Sequence, residues 1–112
     1  MQVRQATPQG SLVTFNGYLA GTAASRRPIG VNITDGLTDV DGIIEVCTWG
    51  ICDILFNAGT STNVTGGDYF SINTYGQLAG VHATTVNVTN YANIVSMETV
   101  TLSSGLVRCF YK

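Results

Sequence analysis

Apolar runs of strand length alternate with turns of Gly, Asn, Asp and Thr roughly every 8–12 residues along this chain, the cadence of an all-β domain. Residues 18–21, 27–31, 42–50 and 67–73 carry it. The pattern predicts a single small antiparallel β-barrel or β-sandwich. From Leu12 the alternation is strict. Val13, Phe15 and Leu19 fall on one face, and Thr14, Asn16 and Tyr18 on the other. Pro28 suits the start of an edge strand over residues 29–33. Residues 57–67 read as an Asn/Gly/Thr/Ser loop. Phe70 and Ile72 point inward and Ser71 and Asn73 outward. Tyr75-Gly76 marks a turn, and short strands follow at 78–81 and around Val86 and Val88. A long strand spans 94–102, and residues 106–111 close the fold after the Ser103-Ser104-Gly105 turn. A helical period is faintly present only over 91–97. Residues 1–11 have no period and contain Pro8 and Gly10. They are expected to be an extended N-terminal arm, ordered only against a partner, in front of a domain at 12–112.

The centre reads as a hairpin. Residues 43–48 and 51–56 flank Trp49-Gly50, a candidate two-residue turn. In that register one face holds Ile43, Glu45, Cys47, Cys52, Ile54 and Phe56, and the other Ile44, Val46, Thr48, Ile51, Asp53 and Leu55. Both faces are mostly apolar, so one is expected in the core and the other against a partner. A slip of one residue would exchange them. Trp49, at the apex, either folds back onto the core or enters a partner's pocket. The candidate partner-binding residues are Val3 and Arg4 on the arm, with Ile43, Trp49, Ile54 and Phe56 on the hairpin.

Composition narrows the function classes. The 112 residues are 45% hydrophobic and 11% charged, with net charge −2 and five basic residues. That is enough apolar material for one real core and no general disorder. Arg26-Arg27 is the sole basic pair, too little to neutralise several phosphates, so nucleic acid is not an expected partner. The apolar stretches are too short for a membrane helix. Residues 1–5 lack the basic start and apolar run of a secretion signal, so synthesis in a cytoplasm is expected.

Candidate chemistry is sparse. Cys47 and Cys52 would face each other across the hairpin, but a cytosolic setting favours free thiols, and Cys109 reads as a packing residue. No paired Cys/His spacing suggests zinc. The lone His82 has no motif-supplied nucleophile or carboxylate and reads as a strand-end surface residue. Asp35, Asp39 and Asp41 form a solvated acidic loop that lacks the remaining ligands of a calcium loop. Asn32, Asn63 and Asn87 begin glycosylation triplets of the kind an Asn/Thr-rich chain produces by chance. No catalytic, cofactor-binding or metal-binding residues are assigned, and the chain is not expected to be an enzyme.

The order Arg27-Pro28-Ile29-Gly30-Val31, then Glu45-Val46-Cys47-Thr48-Trp49-Gly50, then Gly66-Gly67-Asp68-Tyr69-Phe70 with Tyr75-Gly76-Gln77-Leu78 resembles the small β-barrel head-decoration, or cement, proteins of tailed bacteriophages. The likeness covers about residues 27–80. The Thr/Asn-rich segment 57–66 and the closing 108–112 depart from it. The resemblance implies a virion protein on the capsid exterior that clamps neighbouring major capsid protein subunits, often as a trimer or other homo-oligomer. The alternative is a tail, fibre or adhesin β-domain that binds host glycan through Trp49, Tyr69 and Tyr75.

Overall fold

Between Gly50 and Phe56 every second side chain is large or apolar. In the computed structural model, which describes residues 1–21, 28–82 and 94–112, those at 52, 54 and 56 turn inward and are buried. The described residues form ten strands and no helix. They are β1 (Thr7–Pro8), β2 (Leu12–Thr14), β3 (Pro28–Asn32), β4 (Leu37–Thr38), β5 (Val46–Cys47), β6 (Gly50–Val64), β7 (Tyr69–Ile72), β8 (Leu78–His82), β9 (Ile94–Ser96) and β10 (Val100–Tyr111). Five close into a barrel in the order β10-β6-β8-β7-β9, β2-β3-β5 make a second sheet, and β1 pairs with β4. An odd ring cannot alternate strand direction all the way round, so one neighbouring pair must be parallel. That pair is β6–β8, joined at Phe56 and Leu78; the other four barrel pairs are antiparallel.

The barrel core gathers Ile54, Phe56, Val64, Phe70, Leu78, Ile94, Val107 and Tyr111, with Leu12, Ala20 and Val31 supplied from outside the ring. The Phe56 and Phe70 rings meet edge to face at 5.9 Å. Tyr111 donates its buried hydroxyl proton to the Pro28 carbonyl at 3.2 Å, which ties the barrel to the second sheet. A smaller cluster of Val3, Val13 and Ile44 lies outside it.

The expected hairpin at 43–56 does not form. β5 pairs with β3, Val31 opposite Cys47, whereas β6 pairs with β10 from Gly50–Tyr111 to Val64–Val100. Gly50, at φ 113°, carries the chain from one sheet into the other. A turn-competent dipeptide specifies a change of direction but not the strand on the far side of it, and the long β6–β10 ladder takes the strand the hairpin would have needed. Residues 57–64, expected as a loop, extend β6. β10 pairs with this stretch at Asn57 and again at 62–64, where Thr101 Oγ1 donates to Asn63 Oδ1 at 2.7 Å. The expected long strand at 94–102 is broken, because Ser96 Oγ bonds both the N–H and the carbonyl of Glu98 and turns the chain there. The expected turn at 103–105 is instead a bend inside β10. Its register shifts between Leu102 and Ser104, and Gly105 takes φ 145°, a conformation that a side chain would strain. Phe15 leaves the inward face and stands 81% exposed at a tight turn that Gly17 N–H closes on the Thr14 carbonyl.

Residues 1–11 are woven into the fold and do not form a free arm. Val3, Thr7 and Ser11 are fully buried. Backbone bonds run from Val3 N–H to the Gly42 carbonyl, from Arg4 N–H to Gly17 and from Asp41 N–H to Val3. Asn32, itself fully buried, donates its side-chain amide to the Thr7 and Pro8 carbonyls, which removes it as a glycosylation acceptor. Gly10 joins the two main sheets. Its N–H bonds the Asn32 carbonyl, and its carbonyl accepts from Leu55 N–H at 2.9 Å. A side chain there would stand 2.8 Å from Leu55 N, and φ is +85°. The segment is invisible to periodicity because it is held largely through backbone groups of scattered loops and strands, and an apolar stripe is not required to bond them. The expectations placed on Arg26-Arg27, Val86, Val88, Asn87 and Tyr91 lie outside the described residues.

Val3→Ala should therefore lower stability by about 2 kcal/mol. Removing residues 1–11 should abolish cooperative thermal unfolding followed by circular dichroism. A truncated chain with the parent melting temperature would show the segment to be dispensable.

Candidate interaction surface

Because side chains alternate along a strand, the β6–β10 ladder has an outer as well as an inner face. The register sets Ile51 opposite Phe110, Asp53 opposite Arg108 and Leu55 opposite Leu106, all facing outward. Trp49, just before β6, lays its ring edge-on to Phe110 with centroids 5.2 Å apart and planes at 80°. Trp49 is 70% exposed and Ile51 58% exposed. β9 continues the surface on the other side of β10, with Val95 opposite Phe110. The result is an apolar band of Trp49, Phe110, Ile51 and Val95 bordered by one ion pair.

That pair, Arg108 Nε to Asp53 Oδ1 at 3.5 Å, is the one salt bridge among the described residues. Both side chains are substantially exposed, so it orients the two groups and contributes little stability. Arg108 N–H also donates to Glu98 Oε1 at 3.0 Å. Beside the pair a shallow cleft of about 270 Å³ is lined by Gln9, Ile33, Ile51, Cys52, Asp53 and Arg108. A second, wider cleft of about 660 Å³ is lined by Met1, Gln2, Arg4, Phe15, Asn16 and Tyr18.

The six partner-binding candidates divide. Val3, Ile54 and Phe56 are fully buried core residues and cannot reach a partner; for these the expectation is corrected by burial. Trp49 is exposed and belongs to the band. Ile43 is 69% exposed and bridges Gln2, while Arg4 lines the wider cleft, so both belong to the surface around the first four residues. Phe110, Arg108 and Val95 were missed. The two-sided apolar character of 106–111 was a usable signal, but its register against 50–56 is a long-range fact. The glycan-type aromatic triad does not converge on one face. Tyr69 pairs with Val95 near the Phe110 end of the barrel, whereas Tyr75 lies in the turn that leads to Leu78 and Phe56 at the other.

Among the described residues no group of three or more His, Cys, Asp or Glu side chains could hold a metal ion. Asp35 Oδ1 accepts from Gln9 Nε2, and Asp68 Oδ2 accepts from Thr65 N–H, so both are held in turns. His82 ends β8 opposite Tyr69. The three cysteines are free and come together. Cys52 and Cys109 are direct ladder partners, both buried, and Cys47 packs against the same core. Burial pushes the Cys52 thiol up to about 12, with the neighbouring Cys47 thiol and Asp53 adding to the shift. Burial likewise raises Cys109, and it pushes the Tyr111 phenol up to about 12.

Each of these acids holds its proton more tightly folded than unfolded. The stability they allow is complete below their ordinary values of 9.0 for the thiols and 10.0 for tyrosine, and is lost as pH rises toward about 12. The melting temperature should stay level from neutral pH to about 9 and then fall with each further rise. A level profile through pH 11 would contradict the burial assigned to these groups.

No protein-family model, no curated protein and no solved structure matches this chain.

Proposed function

We propose that this chain is a structural virion protein that decorates and stabilises a bacteriophage capsid by binding major capsid protein subunits in many copies on the shell exterior. One observation carries the reading: a closed barrel leaves Trp49, Ile51 and Phe110 together on its outside, with Trp49 and Ile51 more than half exposed. Exposed aromatic and aliphatic groups, rimmed by a charge pair, have the chemistry of a protein-binding hot spot. The resemblance of residues 27–80 to cement proteins supplies the capsid as the surface. Many modest contacts on a symmetric shell also reinforce one another when copies associate. The surface around Arg4, Phe15 and Ile43 is available for contact between copies.

Purified phage shells assembled without the chain provide the test. Wild-type protein should bind saturably at a fixed ratio to the major capsid subunit and raise the shell's resistance to heat. Trp49→Ala should weaken attachment by about 2–4 kcal/mol while leaving the melting temperature of the free chain nearly unchanged. Absence of shell binding, or binding to cell-surface glycan in its place, would overturn the proposal in favour of an adhesin.

A further inference from the structure

A cysteine used only for packing needs no second thiol beside it, yet here Cys47 and Cys52, five residues apart, are joined by Cys109 from the far end of the chain. Cys47 ends β5 in the second sheet, Cys52 lies on β6 of the barrel, and Cys109 faces Cys52 across the ladder on β10. The Cys47 thiol stands next to that of Cys52 and donates to the Trp49 carbonyl at 3.5 Å. The three differ in access. Cys109 is fully buried, and its thiol donates to the Val107 carbonyl at 3.3 Å. Cys52 is almost buried but forms part of the wall of the 270 Å³ cleft, beside Ile33 and Ile51. Cys47 is half-buried.

We propose that Cys47 and Cys52 are an oxidant-reactive dithiol that hydrogen peroxide or another small hydroperoxide converts to a disulfide. Cys47, the more accessible sulfur, attacks one peroxide oxygen. The S–O bond forms as the O–O bond breaks, and the departing hydroxide takes the thiol proton and leaves as water. Cys52 sulfur then attacks the sulfenic sulfur of Cys47. The S–S bond forms, the S–O bond breaks, and the second hydroxide leaves with the Cys52 proton as a second water, for which the cleft is an exit. Two thiols lose two electrons and two protons, and one peroxide is reduced to two waters. Burial raises the Cys52 thiol, so at neutral pH its attack on the sulfenic sulfur is slow. Cys109, without solvent access, stays a thiol. The product links β5 to β6 across the short corner that presents Trp49, so oxidation would fasten the second sheet to the barrel beside the apolar band.

The test uses the reduced full-length chain and hydrogen peroxide alone. After reaction, remaining thiols are alkylated under denaturing, non-reducing conditions, and chymotryptic cleavage after Trp49 separates Cys47 from Cys52. The expected result is loss of two hydrogens from the intact mass, a peptide pair joined through Cys47 and Cys52, and a single alkylated thiol at Cys109. Cys109→Ser should preserve the link and Cys47→Ser should abolish it; if a variant fails to fold, the wild-type map alone decides. A Cys52–Cys109 link, over-oxidation of Cys47 without a link, or three alkylated thiols would each overturn the assignment. None of these readouts involves shell binding, so the dithiol and the capsid reading succeed or fail separately.

Discussion

The antiparallel ladder between Gly50–Val64 and Val100–Tyr111 is the interaction on which the rest of the molecule depends. Its inner face supplies Cys52, Ile54, Phe56, Val107, Cys109 and Tyr111 to the core. Its outer face carries Ile51, Phe110 and the Asp53–Arg108 pair. Period-two alternation makes these two sets inseparable: the register that buries Ile54 and Phe56 must also expose Ile51. An apolar outer face here is therefore a property of the residues chosen at 49, 51 and 110, since nothing in the packing of the core requires them to be apolar.

Closing the ring around that ladder sets the remaining topology. Five strands force one parallel contact, and β6–β8 provides it at a single register point. Along the rest of that edge the partner comes from outside the barrel, where Gly10 accepts from Leu55 N–H and also bonds Asn32 of the second sheet. The N-terminal segment thus satisfies backbone groups that a regular strand would otherwise meet. This is why a segment with no amphipathic pattern is nonetheless structural, and why Asn32 is buried with its amide directed at Thr7 and Pro8.

The same ladder draws the thiols together. Cys52 and Cys109 become neighbours because Arg108 pairs with Asp53 and Phe110 with Ile51 on either side of them. Cys47 joins them because β5 ends where β6 begins, across the Gly50 corner. The apolar band and the Cys52–Cys109 pair are two sides of one ladder, and Trp49 sits near the Cys47 corner.

The all-β class was legible in the residues alone, because alternation and turn composition are local quantities. So was the inward placement of Phe70, and the exposure of Trp49 was one of two readings left open. What the chain folded into was decided at longer range. The 43–56 hairpin lost to pairings of β5 with β3 and of β6 with β10, since a turn dipeptide cannot report competing partners dozens of residues away. The polar 57–64 stretch became strand because β10 pairs with both its ends, at 57 and at 62–64, and polar 1–11 became structure because backbone groups of loops and strands receive it. The band of Trp49, Ile51 and Phe110 exists only in the register of a closed ladder, and register is a tertiary quantity: local preference sets which residues alternate, and only the partner strand sets which of them meet.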